Sequence, residues 1–577
     1  MRATASSDGL TLRVVAGTHN VLLGLDLEEA RRAACLGFSI WRTDLGPAGA
    51  PLPADQPVAH ALPSGVRFPS DTSTGPVTTE HAPLQRFRWG DYTLNPNHRY
   101  RYRVTAQYGA ASALTAGPSV EVEVTTEDPS SPDHSVFFNR AAAASQAYIR
   151  LFGDTDPAQS PEARQWLSRG LEEAILAFLS QAKDGSFGLH AAIYEFQKPE
   201  LLQGLKAAHD RGAEVRVAYH YRHNGDKDDT WKKNEAAAQA NGLADLCVQR
   251  KANPQSAIMH DKFVVLLEKD AAGSLQPRAV WTGSTNWTDG GVYGQLNVGH
   301  AVYDPAVAQA YETCFQLLRA DSQATPLKNA LAQLTPVPDP TLPGPKIFPI
   351  FSPQHDKRML ELYASICKQA TCLLVSAPFE LDELLLDTFT NTPPGALHFL
   401  LLDKEASLGS KQEVSVIERE AGNEISVATT LDTHLDQYQS GLLQHHFGKE
   451  SFHHPGIHIH SKIIAVDPFG PDPIIASGSA NYSANSTLDN DSNTLVIRGN
   501  LAVADIYATE FMRMFDHYHF RATVAKAERE AKAAGKPFTE LPEQLKEDDS
   551  WSAPYYVAGS REALERQTFG GPAPGAG

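Results

Sequence analysis

The sequence predicts an α/β protein in which two similar α/β halves follow a small all-β module. Short runs of alternating apolar and polar residues fill the first 128 positions, separated by Gly, Pro, Asn and Ser clusters. From residue 136 onward, strand-like and helix-like periodicities alternate, and one pattern of residues occurs twice, 200 positions apart. A chain of 577 residues also exceeds what a single hydrophobic core supports, so several domains are expected.

In residues 1–128 the runs "TLRVVAG", "GFSIWRT", "YRYRVTAQYG" and "VEVEVTT" have the period of two that half-buried strands require. Short strands at this spacing form a β-sandwich. The stretch "YTLNPNHRYRYRVTAQYG" is similar to the closing strands of a fibronectin III or immunoglobulin-like module, while "LEEARRAACL" reads as a helix within it. The polar hinge "TEDPSSPDHS" ends this module, and "FFNRAAAASQAYIRLFG" then suits a helix. Next, "FGLHAAIYEFQ", "PELLQGLKAAHDRG" and "AEVRVAYHY" read as strand, helix and strand, a βαβ unit with parallel strands.

The proline-rich connector "LTPVPDPTLPGPK" at 334–346 divides the halves, giving a first α/β domain at 136–335 and a second at 347–520. In the second, "KRMLELYASICKQA", "TCLLVSAPFEL" and "ALHFLLLDKE" give helix, strand, strand. Residues 521–577 form a C-terminal tail, helical in "RATVAKAEREAKAAG" and disordered in "GGPAPGAG". The aromatics of "DDSWSAPYYVAGSREALERQTF" suit packing back onto the body.

A net charge of −18 argues against a protein that coats nucleic acid or anionic membrane by bulk electrostatics, and favours a pocket ligand. The five cysteines are odd in number and lack metal-type spacing, which reads as reduced thiols in the core. With no apolar leader run and no transmembrane segment, the expectation is a cytoplasmic protein, signal-less export being left open.

The repeated pattern carries the chemistry. "HDKFVVLLEKDAAGSLQPRAVWTGSTNW" and "HSKIIAVDPFGPDPIIASGSANYS" each open with His-x-Lys on an apolar run, turn, and return through Gly-Ser-x-Asn and an aromatic. Residues i and i+2 of a strand share a face, so His260 projects with Lys262 and His460 with Lys462. The hairpin return brings Ser284 and Asn286, or Ser479 and Asn481, beside them. Lysine ammoniums and asparagine amides suit the oxygens of a phosphodiester as charge shifts in its transition state. Imidazole can attack phosphorus or protonate a leaving oxygen near neutral pH, and two imidazoles allow both roles. The scheme requires no metal and no cofactor.

These residues resemble the paired HxK(x4)D and GSxN signatures of the phospholipase D superfamily, over roughly residues 136–520. The segment "NDSNTLVIRGNLAVADIYATEFMRMFDHYHFR" resembles the stretch C-terminal to the second signature in the bacterial members. The resemblance implies two α/β/α sandwich domains forming a pseudo-dimer, with the active site between them. It implies a phosphohistidine mechanism with His260 as nucleophile and His460 as general acid and base. Lys262, Lys462, Asn286 and Asn481 would clamp the phosphoryl oxygens, Ser284 and Ser479 would assist in binding, and Asp467 and Asp491 would support the site. Two departures stand out. Leu267, followed by Glu268, replaces the signature aspartate of the first copy. Where nucleases of the superfamily carry a histidine-holding glutamate, this chain has Asp491, Ser492 and Asn493, or Gln295 and Asn297.

The expected function is hydrolysis or transfer of a phosphodiester, a phospholipid head group being favoured over nucleic acid as substrate. A non-catalytic scaffold is the alternative of a different class. Because both halves lie in one chain, a monomer is expected, with the N-terminal sandwich as a candidate partner-binding module. The histidine-dense "HHFGKESFHHPGIHIH" at 445–460 raises a metal site, but no carboxylate or cysteine has tight spacing to it, so a cleft rim is the preferred reading. Glu195 in "AIYEFQ" is given no role. No GxSxG, GxxxxGK[ST] or HExxH pattern is present.

Overall fold

The alternating runs of the N-terminal region become two four-stranded antiparallel sheets in the computed structural model of the chain. The structure describes all residues except 52–57, 74, 142–144, 154, 223–228, 252–256, 339–345, 405–416, 418–421, 429–457, 536–543 and 572–577. The sandwich core holds Leu12, Val14, Leu23, Phe38, Ile40, Tyr102 and Val104, the inward residues of alternating strands. "LEEARRAACL" is not a helix of the kind expected: a single 3-10 turn, Glu29–Arg31, forms there, with no buried residue to anchor more.

The first half folds around a seven-stranded sheet in the order His134–Phe138, Val298–Val302, Leu275–Gly283, Lys262–Lys269, Phe187–Ile193, Glu214–His220, Cys247–Arg250. The second half repeats it as Ile347–Ser352, Ser492–Arg498, Ile474–Gly478, Ile463–Val466, Cys372–Ala377, Leu397–Leu402, Asn423–Val427. Four antiparallel pairings followed by two parallel ones occur in both sheets. The helix Glu383–Thr390, between Cys372–Ala377 and Leu397–Leu402, lies where the sequence pattern reads as a direct strand-to-strand passage. Parallel neighbours need a crossover of a dozen or so residues, and this helix supplies it.

Each sheet is covered on both faces. Val264 and Leu266 pack with Leu201, Leu205 and Trp281, whereas Phe263, Val265 and Leu267 join a second core. That second core also takes Ile463 and Ala465 from the other half, together with Tyr311 and Phe511 from the helices Pro305–Arg319 and Leu501–Ala533. One apolar core therefore joins the two sheets. The C-terminal aromatics return to the sandwich: Trp551 and Tyr555 sit in its core against Phe87, and the Trp551 indole N–H donates to the Cys35 carbonyl at 2.8 Å. Phe569 packs on Phe399 and Phe469 of the second half. The cysteines are all free, and all but Cys247 are buried. Among the described residues, no helix is long and apolar enough to cross a membrane.

Candidate active site

Both signature stretches reach across to the opposite half before entering their strands. Met259 bridges to Asp491, the His260 N–H donating to the Asp491 carbonyl at 2.7 Å and the Asp491 N–H to the Ile258 carbonyl at 3.1 Å. Ile459 bridges to Leu296 in the matching way: the Leu296 N–H donates to the His458 carbonyl at 2.7 Å, and the His460 N–H to the Leu296 carbonyl at 3.1 Å. These ties set the two imidazole rings 6.3 Å apart at an interplanar angle of 71°. Lys262 donates to the His260 carbonyl and Lys462 to the His460 carbonyl, each at 2.7 Å. His260, Lys262, His460 and Lys462 are all buried.

Four groups that favour positive charge thus share one dry junction. Burial, then Lys262, Lys462 and His460, push the His260 ring well below the usual imidazole range. Burial and both lysines do the same to His460. Lys462 falls well below its ordinary value through burial and the neighbouring Lys262. Burial also pushes Lys262 down to about 7, although Glu195 and Asp261 oppose it. Its ammonium lies 5.0 Å from the centre of the Tyr194 ring, which itself packs on His260.

The two halves differ in how each ring is held. His460 Nδ1 lies 2.9 Å from Asn297 Oδ1. That amide cannot present its other end, since Nδ2 donates to the Gly291 carbonyl at 2.8 Å and Oδ1 accepts from the Ser284 hydroxyl at 2.7 Å. The counterpart Asn493 turns elsewhere: Nδ2 donates to Asp261 Oδ1 at 2.7 Å, and Oδ1 accepts from Thr282 at 2.8 Å and Tyr311 at 2.9 Å. His260 Nδ1 is buried with no hydrogen-bond partner among the described residues. Asp261 is the local cause, because the second half has Ser461 in its place, whose hydroxyl meets that of Ser376 at 3.1 Å. Burial, opposed by the Asn493 hydrogen bond, pushes the Asp261 carboxyl up to about 7.

The sequence-predicted residues divide into those at this junction and those behind it. Asn286 and Asn481 have buried side-chain oxygens that find no hydrogen-bond partner among the described residues. The Ser284 and Ser479 hydroxyls are wholly buried and committed to Asn297 and Asn493. Asp491 pairs with Arg250 at 3.0 Å, both buried, under the stretch that carries His260. Asp467 stands at the far end of its strand, where Oδ1 accepts from the Thr371 N–H and hydroxyl and from the Cys372 N–H at 2.6–2.8 Å. Leu267 instead continues a longer strand into the shared core, and Glu268 pairs at the surface with Arg278 at 3.0 Å, so it does not replace the missing aspartate. Of the histidine-dense stretch, residues 445–457 lie outside the described residues; the His458 N–H donates to Asp403 at 2.7 Å. The site residues not singled out from sequence are Asp261 and Tyr194, and Asn297 acquires a contact no local pattern announced. The one available signal was Asp261 facing Ser461 at matched positions of the two copies.

Residues 175–319 match the family model described as "Cardiolipin synthase, PLD-like domain". No curated protein matches the chain. Among solved structures, similarity is found to a polyphosphate kinase from Porphyromonas gingivalis at 9% identity and a TM-score of 0.37, covering 57% of this chain and 46% of the kinase. A phosphatidylserine synthase from Haemophilus influenzae is similar over 61% of this chain and 85% of its own, at 11% identity and a TM-score of 0.41. Nuc, a phospholipase D family member from Salmonella typhimurium, is similar over 33% of this chain and 97% of its own, at 20% identity and a TM-score of 0.22.

Proposed function

Given that this chain carries a phospholipase D-superfamily domain, we propose that it is a phosphodiesterase acting through a covalent phosphohistidine, with a phospholipid head group as the favoured substrate. The observation that carries the reading is the convergence of two buried His-Lys pairs on one junction between the halves. Like-charged groups held out of water repel one another, and an anion bound among them offsets that repulsion. A phosphodiester supplies one negative charge and oxygens for Lys262, Lys462, Asn286 and Asn481 to hold.

At a separation of 6.3 Å between rings, a single phosphoryl group can touch both imidazoles. One ring nitrogen attacks phosphorus while the bond to the leaving oxygen breaks, and that oxygen takes a proton from the second ring. The second ring then removes a proton from water or an alcohol, whose oxygen displaces the first ring from phosphorus and regenerates it. A lipid substrate is supported by Phe379, a large exposed apolar side chain just beyond the strand Cys372–Ala377, at the strand end that adjoins Ser461. The net charge of −18 weighs against a nucleic acid.

The test offers purified protein bis(p-nitrophenyl) phosphate, phosphatidylcholine vesicles, and single- and double-stranded DNA, beside His260→Ala and His460→Ala. Turnover abolished in both variants is expected, with vesicles preferred to DNA. Absence of turnover on every substrate, or wild-type rates in both variants, would leave a binding scaffold as the better account; a preference for DNA would make the protein a nuclease.

A further inference from the structure

We infer that a small oxyanion of the phosphate type binds where the N-terminal sandwich meets both α/β halves, between Arg140, Arg169, Arg513 and the side-chain amide of Asn20. The site owes nothing to the chemistry proposed for the His-Lys junction. Three guanidiniums gather there around one carboxylate. Arg169 donates from Nη2 to Glu510 Oε1, and from Nε to the Phe138 carbonyl at 2.9 Å. Arg513 donates from Nε to Glu510 Oε2 at 2.9 Å, and from Nη2 to the Asn139 carbonyl at 3.0 Å. Arg140 donates to the Trp166 carbonyl at 2.6 Å and lies over the Trp166 ring, with no carboxylate partner among the described residues. The other acids of this helix face are engaged: Asp505 by Arg2 and the N-terminal ammonium, Asp516 by Arg88 and Tyr92.

Burial lowers Arg140 to about 9, and Arg169 and Arg513 add to the effect. Burial likewise lowers Arg169 to about 10, with Glu510 opposing and Arg513 adding to it. Both remain cationic at neutral pH. The His19 ring, pushed down to about 3 by burial and by Arg169, is neutral there and brings no further charge. Like charges held out of water without enough counter-charge repel, and an anion among them offsets that repulsion.

Asn20 is wholly buried, and neither its Nδ2 nor its Oδ1 has a hydrogen-bond partner among the described residues. Leaving both ends of a buried amide unpaired is costly. Asn20 stands opposite Gly17 in the turn between the strands Leu10–Ala16 and Val21–Leu27, the Gly17 N–H donating to its carbonyl at 2.8 Å. Cross-strand partners present their side chains on the same face. A Cβ on Gly17 would fall 2.0 Å from Thr509 Oγ1, so the Asn20 amide is turned toward the helix Leu501–Ala533, beside Glu510 and Arg513. Val15 and Leu22, the next pair on this face, pack in one core with Phe138 and Phe511. A phosphate ion suits these groups: guanidinium N–H groups and Asn20 Nδ2 donate to its oxygens, and its own O–H donates to Asn20 Oδ1. Arg140 and His19, the half-buried members, mark the way in from solvent.

The test melts full-length protein, dialysed into phosphate-free buffer, while sodium chloride is replaced by sodium phosphate at constant ionic strength. A saturable rise of the midpoint is expected, about 1–2 °C when phosphate stands at tenfold its Kd. The rise should survive Lys462→Met, which removes a cation from the His-Lys junction, and be lost in Arg140→Met. Asn20→Asp puts a carboxylate among the arginines, so it should melt higher than wild type without phosphate and gain nothing from its addition. No rise in the wild type, or a rise lost in Lys462→Met but kept in Arg140→Met, would overturn the site. A phosphate response of wild-type size in Asn20→Asp would overturn it too, even if Arg140→Met failed to fold.

Discussion

Leu267 occupies the position that Asp467 holds in the second half, yet the two side chains meet different surroundings. The Asp467 carboxylate fastens Thr371 and Cys372, at the start of the neighbouring strand. In the first half the strand runs on to Lys269, and the same position points into the core shared by both sheets. Restoring the signature should therefore do harm. Leu267→Asp would bury a carboxylate with no partner, at a cost on the order of 3–5 kcal/mol, and thermal denaturation should register it as a lower midpoint. A stabilised Leu267→Asp protein would mean that the first half does lack its aspartate. The lysines lead to a second expectation. Burial holds Lys262 at about 7, so its ammonium is charged below that pH and neutral above it. If Lys262 clamps the phosphodiester, kcat/KM falls as pH rises past about 7. Both imidazoles lie below their usual range, so neutral imidazole persists on the acid side to below about 6.5. A kcat/KM still climbing at pH 8 would exclude the charged Lys262 from binding. The His, Lys and Asn residues were legible in the sequence because they occur twice in matched order. The Asn297–His460 contact was not, because it joins residues 163 positions apart in opposite halves.

At the scale of elements, the sequence carried most of the sheet and little of what crosses between sheets. Apolar runs such as "FVVLL" and "LHFLLL" are near-continuous because each strand is buried on both faces, so their strand character is plain although their alternation is weak. The same continuity hides which face meets which neighbour. Val264 and Val265 look equivalent in sequence but enter different cores. The turn at Glu29–Arg31 does not extend into a helix because its charged residues have no apolar stripe to bury, and short helices in water draw their stability from such a stripe. Conversely, Glu383–Thr390 does not stand out in the sequence, although Asp382 caps it, accepting from the Leu384 N–H at 3.1 Å. The capping residue is visible; what makes the helix necessary is the parallel pairing of the strands around it, which local sequence does not encode.

Across the whole molecule, the sandwich is fastened to the rest of the chain at points that no local pattern announces. Arg2 donates to the carbonyl of Gly470 and Arg13 to that of Phe469, in the turn just beyond Asp467. Next to these contacts, the C-terminal helix Arg561–Gly570 lies so close to the strand Val21–Leu27 that glycine is needed on both: a Cβ on Gly24 would fall 1.9 Å from the Phe569 carbonyl oxygen, and one on Gly570 equally near that of Leu25. Phe569 in turn packs on Phe399 and Phe469, so one backbone contact ties the sandwich to the sheet that carries His460 and Lys462. If this junction is structural, the sandwich and the second half unfold together. Gly24→Ala tests it, because the obstacle is main chain on an opposing element, which cannot rotate aside. The strand must bend or the helix must lift, at about 1–3 kcal/mol or more for a forced overpacking. Calorimetry should give one transition spanning both regions in the wild type, and in Gly24→Ala an earlier transition that takes the sandwich and the Trp551 fluorescence change ahead of the rest. A variant that melts like the wild type would mean that this backbone contact is not what couples the sandwich to the second half.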